Sequence, residues 1–146
     1  MRKLILAIST VALAVSAAYA DPIADRRAIM KERGGLIGGL VKMVKGETPF
    51  DAAAVQKALE GLKANEAKVD IDALFPAGSD KGDTKADPKI WSDMDGFKAV
   101  NKKYSDAVDA AAAAPAADKE ALGGQIQTLG GLCGECHKTY RLPQQG

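Results

Sequence analysis

The chain has one histidine, two cysteines, one tryptophan and 5% aromatic residues in 146 positions. Each shortage excludes something. A single histidine leaves no second imidazole for a distal acid–base role, and no pair of carboxylates stands where it argues for catalysis. Two cysteines and one histidine fall one ligand short of a structural zinc site. No basic run or stripe is present, so nucleic acid is not an expected partner. After the first twenty residues no stretch is apolar for long enough to span a bilayer. Runs of β-branched residues are scarce and alanine is abundant, which favours helix. Few aromatics make a thin core for this length, a deficit that a large apolar cofactor would fill.

Residues 1–20 read as a secretory leader, apart from the fold. Met1-Arg2-Lys3 is a short basic start, Leu4 to Val15 is apolar except for Ser9 and Thr10, and Ala18-Tyr19-Ala20 is the small-x-small pattern that a signal peptidase reads. Cleavage before Asp21 puts residues 21–146 in the periplasm as one domain. Lys and Arg number 20 against 19 Asp and Glu. The leader holds Arg2 and Lys3 and no acidic residue, so the remainder lies within about one charge of neutral.

Four segments have helical periodicity. The first runs from Pro22 to Val44, with Asp21 as cap and Gly46 at its end, and Ile23, Met30, Ile37 and Val44 share a face. The second opens at Thr48-Pro49-Phe50-Asp51, with Thr48 as cap; its face is Val55, Leu59, Leu62, Glu66 and Val69, with Glu66 the polar exception. Ile71, Leu74 and Phe75 look buried in the connector, and Pro76 to Asp87 reads as loop. The third starts after Asp87-Pro88 and carries Ile90, Met94, Phe97, Tyr104, Val108 and Ala111 on one side. The fourth begins near Asp118 and shows Leu122, Ile126, Leu129, Cys133, Cys136 and Tyr140. Short connections imply antiparallel neighbours, so the expected fold is all-α, an up-down-up-down four-helix bundle.

Cys133-Gly134-Glu135-Cys136-His137 is the C-x-x-C-H pattern of haem c attachment. Residues three and four apart share a helix face, so both thiols and the imidazole project to one side. Two thiols so spaced can add to the two vinyl groups of one haem, and His137 then becomes the proximal iron ligand. A disulfide or a thioredoxin-like pair is the rival, but that pair sits after a strand, and every segment near this one reads as helix. On the distal side Met30 and Met94 both reach the level of His137. Met43, thirteen residues beyond Met30, stands about 20 Å farther along at about 1.5 Å per residue. Arg26 and Arg27 precede Met30 on the same side, where they can pair with haem propionates. Gly34, Gly35, Gly38 and Gly39 each cost about 1 kcal/mol in a helix relative to alanine, which calls for a close approach of a helix or of the haem, or else for a break.

With these features placed, the chain resembles the cytochrome c′ family over nearly all of residues 21–146. The carrying stretches are Val44 through Asp51, Leu74-Phe75-Pro76-Ala77-Gly78-Ser79, Pro88-Lys89-Ile90-Trp91-Ser92-Asp93, and Cys133 through Arg141. The resemblance implies one covalently attached haem c and two possible states of its iron. High-spin members leave the distal side open to nitric oxide or carbon monoxide; low-spin relatives place a methionine there, at the position of Met30, and serve as electron carriers. Met30-Lys31 and the glycines after it look more like the low-spin kind. The resemblance also puts Arg26, Arg27 and the loop around Thr84 near the haem edge, sets Arg141 by the proximal side, and implies a homodimer through the first two helices. The early histidine or tyrosine of some relatives is absent from the first helix. The expected function is non-enzymatic: electron transfer between redox partner proteins by an iron held between His137 and Met30, with gas binding as the alternative.

Overall fold

A computed structural model describes residues 21–143; the expected leader lies outside them. Six helices follow in order: α1 (Pro22–Lys45), α2 (Ala52–Glu66), α3 (Ile71–Leu74), α4 (Lys89–Ser92), α5 (Met94–Ala113) and α6 (Lys119–Tyr140). The four long ones form the up-down-up-down bundle, in which α1 packs on α2 and α6, and α5 packs on the same two. The fold is all-α.

Local chemistry sets the boundaries. Asp21 caps α1 by accepting from the Ile23 and Ala24 amides, and Gly46 ends it at a φ of 77°, where a side chain would be strained. The helix does not break at its glycines. A Cβ at Gly34, Gly35, Gly38 or Gly39 would meet nothing within 4 Å, so no close approach among the described residues requires them. Asp51, and not Thr48, caps α2: its carboxylate accepts from the Ala54 amide at 3.1 Å, a stronger acceptor than a hydroxyl. Asp118 caps α6 in the same way.

The third expected helix is interrupted. Asp93, with an extended φ of −139°, separates α4 from α5. Its side chain makes no cap; it accepts a 2.8 Å hydrogen bond from the Tyr140 hydroxyl at the far end of α6. Gly96 makes room for this, since a Cβ there would stand 2.6 Å from the Tyr140 oxygen and 2.5 Å from Asp93 Oδ1. The loop between α3 and α4 is pinned to the end of α6 by an isolated antiparallel bridge between Ala86 and Arg141. In the connector Leu74 is buried, while Ile71 and Phe75 are partly so.

The interior divides in two. Leu40, Val55, Leu59, Leu62, Tyr104, Val108, Leu122 and Leu129 form the larger cluster. Ile90, Phe97 and Tyr140, with Phe75 and Trp91 against them, form the smaller one. Its aromatic rings meet edge to face, Phe75 on Phe97 at 4.8 Å and Phe97 on Tyr140 at 5.2 Å. The buried face of α1 is not the expected one. It runs through Arg26, Ile29, Arg33 and Leu40, two of them charged. Met30 and Ile37 instead line a cavity, which leaves them short of full burial.

Candidate functional site

Between α1, α5, α6 and the 76–87 loop lies a cavity of about 770 Å³, within the range of about 300–1,000 Å³ usual for cofactor sites. It joins the two clusters: Tyr104 and Leu132 line it from the larger, Ile90, Phe97 and Tyr140 from the smaller. Cys133 packs against the first and Cys136 against the second. Both are free thiols, half-buried. Burial pushes their pKa values up, so they stand as neutral thiols in an apolar setting.

His137 lines the same cavity, open on that side. Partial burial first, then Arg141 and Arg33, hold its pKa below the ordinary 6.5. The imidazole is therefore neutral at physiological pH, the form in which it binds a metal. Of the methionines in the described residues, Met30 alone lines the cavity. It is 46% exposed, one of only two large apolar residues so open among the described residues. Met94 packs into the smaller cluster and Met43 against the larger.

Arg26, Arg27 and Thr84 also line the cavity, as does Arg141. Arg26 is buried and already engaged: it donates to the Ser79 carbonyl at 2.8 Å and the Ser79 hydroxyl at 3.2 Å, reaches Thr84 Oγ1 at 3.5 Å, and lies 4.7 Å over the Phe75 ring. It fastens the loop to α1. Arg27 is exposed and ion-paired with Asp83. Six basic residues against one acidic line the walls (Arg26, Arg27, Lys31, Arg33, Lys85 and Arg141 against Asp83). Such walls suit a ligand with an apolar body and anionic substituents, as a haem with its propionates is.

The residues present fit that group. The Tyr104 hydroxyl is buried on this wall without a hydrogen-bond partner among the described residues, an omission native interiors rarely leave. A thin protein core, split around a roomy apolar cleft with two thiols and an imidazole on one face, matches a large flat cofactor. Sequence reasoning missed Arg33 and Tyr104 as site residues, and Asn65 as the partner of Arg33. Arg33 pairs with Glu66 at the edge of the cavity, and the only advance signal was the polar Glu66 on an otherwise apolar face.

Comparison with known proteins agrees. Residues 21–141 match the family model described as Cytochrome C′. Cytochrome c-556 of Agrobacterium fabrum is 42% identical over 131 residues, 89% of this chain and 88% of that one. The solved cytochrome c′ of Rhodopseudomonas palustris superposes with a TM-score of 0.78 at 38% identity, covering 86% of this chain and 99% of that one. A structure described as a nitric oxide complex of a mutant cytochrome c prime from Alcaligenes xylosoxidans gives 0.74 at 30% identity, over 86% and 99%. The chain belongs to the cytochrome c′ family, whose members carry one covalently attached haem of the c type.

Proposed function

We propose that the protein is a periplasmic electron carrier that holds its haem by thioether bonds from Cys133 and Cys136, with His137 and Met30 as axial ligands. The observation that carries this reading is one cavity lined by both thiols and the imidazole of α6 and by the one methionine that α1 leaves exposed. An apolar side chain in that position needs a cover, and a haem face supplies it. When bound, the haem provides a one-electron ferric–ferrous couple whose potential follows from its axial ligands and burial. The chain does the rest. Neutral His137 presents a lone pair, Met30 offers a soft thioether that favours ferrous iron, and Phe75, Phe97 and Tyr140 give the cavity an aromatic wall. Arg27, Lys31 and Thr84 line the cavity from α1 and the loop, and in this reading they receive the propionates. Arg26 keeps that loop in position.

Periplasmic export rests on the leader in residues 1–20. No helix among the described residues is long and apolar enough to cross a membrane. Pairing with a second copy through α1 and α2 is part of the same reading, and the open space above Gly35, Gly38 and Gly39, which do not line the cavity, permits it.

The comparisons lean somewhat toward a second reading: the family matched is that of cytochrome c′, and one solved relative is a nitric oxide complex. In it Met30 stays off the iron and forms a wall of a pocket for nitric oxide or carbon monoxide. Absorption spectra of the oxidised and reduced protein separate the two. A low-spin spectrum with a thioether charge-transfer band, little changed by carbon monoxide, supports the carrier. A high-spin spectrum that shifts readily with carbon monoxide would replace it with gas binding.

A further inference from the structure

Two opposite charges are buried together at the cavity wall. The Arg33 and Glu66 side chains, ion-paired, are 10% and 7% exposed. Arg33 Nε donates to Asn65 Oδ1 at 3.1 Å, and its guanidinium lies 4.6 Å over the Tyr104 ring. Asn65, fully buried, is itself fixed by donating to the Ile29 carbonyl at 3.1 Å and to Glu32 Oε2 at 2.8 Å. Arg33 and Tyr104 face the cavity and Glu66 stands behind them.

Stability does not account for such a pair, because apolar side chains of equal bulk serve a buried position at least as well. Its distinguishing property is electrical. The pair adjoins a cavity whose occupant changes charge by one unit with each electron.

We propose that Glu66 is a redox-linked proton site: it takes up a proton when the haem iron is reduced and gives it back on oxidation, with Arg33 carrying the electrostatic influence between cavity and carboxylate. The proposal rests on the haem reading above, but holds for either state of the sixth ligand position. The balance is simple. A redox partner protein supplies one electron, ferric iron becomes ferrous, and a proton from solvent converts the Glu66 carboxylate to the acid; oxidation reverses both, and no other bond changes.

The sign follows from electrostatics. An added electron makes the cavity more negative, offsets the hold of Arg33 on Glu66 and raises the carboxylate's affinity for a proton. Burial already lifts the Glu66 pKa above the usual value, against the pull of Arg33, with Asp109 adding to the rise. The other groups facing it are Tyr104 on α5 and Cys133 on α6. Lys63 on its own helix is engaged with Asp109 at 3.2 Å. Tyr104 is kept neutral chiefly by burial, Cys133 carries no charge as a thioether, and Glu32 is held down by Lys68 and Asn65.

The test is potentiometric titration of the haem-loaded protein and its Glu66→Gln variant from about pH 5 to 9, with oxidised-minus-reduced infrared spectra of both. The wild-type midpoint potential should fall as pH rises through the Glu66 titration, and that slope should vanish in E66Q while its visible spectrum is unchanged. The reduced wild type should show a protonated-carboxyl band that shifts on glutamate isotope labelling and is missing from E66Q. A wild-type potential flat across this range, or the same slope in both proteins, would overturn the proposal. If E66Q does not fold, the isotope shift in the wild type decides, and its absence overturns the proposal. Failure of the haem reading would look different: no Soret absorption at all.

Discussion

Replacing Arg33 by methionine removes the cation while keeping much of the side-chain bulk. The guanidinium it deletes pairs with Glu66, bonds to Asn65 Oδ1 at 3.1 Å and covers the Tyr104 ring. With the Glu66 side chain 7% exposed, water replaces little of what is lost. Stranding a buried charge costs about 3–5 kcal/mol. Glu66 escapes part of that cost by taking a proton, and this makes the loss depend on pH. Its folded pKa already lies above the unfolded value and rises further without Arg33. A carboxyl in that position binds more protons folded than unfolded, so stability falls as pH rises from the unfolded pKa through the folded one. Arg33→Met should therefore be closest to wild type below about pH 4.3 and reach its full deficit of about 3–5 kcal/mol only above the folded pKa of Glu66. Urea unfolding of haem-loaded protein at several pH values measures both quantities. Arg33→Met combined with Glu66→Leu should recover most of the stability, since neither charge is then stranded. An Arg33→Met protein as stable as wild type at neutral pH, with no trend in the difference, would refute this account of the pair.

Two further substitutions probe other parts of the structure. Met30→Ala should convert a low-spin spectrum to a high-spin one and expose the iron to carbon monoxide; an unchanged low-spin spectrum would assign the ligand elsewhere. Gly96→Ala should break the Tyr140–Asp93 hydrogen bond, because the new methyl would stand 2.6 Å from the phenol oxygen. The Tyr140 pKa, pushed up to about 12 first by that bond and then by burial and the Asp93 charge, should drop toward 10 in an ultraviolet titration. An unaltered titration would mean that the bond does not hold the phenol.

Features within one or two helical turns were legible in the sequence. Asp21, Gly46 and Asp118 act on amides or carbonyls a few residues away, so their roles can be read from the letters alone. The C-x-x-C-H spacing is equally local, as is the placing of Met30 with the two arginines before it. Apart from the α2 cap, expected at Thr48 and found at Asp51, what could not be read depends on distant partners. Asp93 splits the third helix for the sake of Tyr140, 47 residues later. Arg26 looked like a propionate ligand beside Arg27, but Ser79, 53 residues on, takes most of its hydrogen bonds. Arg33 resembles any solvated helical arginine until α2 brings Glu66 and Asn65 against it. Glu66 was visible as an exception to the pattern, though not as one half of a pair. Of the heptad through Ile23, Met30, Ile37 and Val44, only Met30 and Ile37 line the cavity, while Val44 packs on the larger cluster, since a helix beside a large cofactor site has two faces to supply, one for protein and one for ligand.

The most direct test of the central claim is the intact mass of the polypeptide purified from a periplasm that contains the haem-attachment machinery. The measured mass should be that of the chain from Asp21 onward plus one haem, retained after acid–acetone extraction and lost from the protein in which Cys133 and Cys136 are both alanine. The mass of the bare polypeptide, with no tetrapyrrole attached, would contradict it.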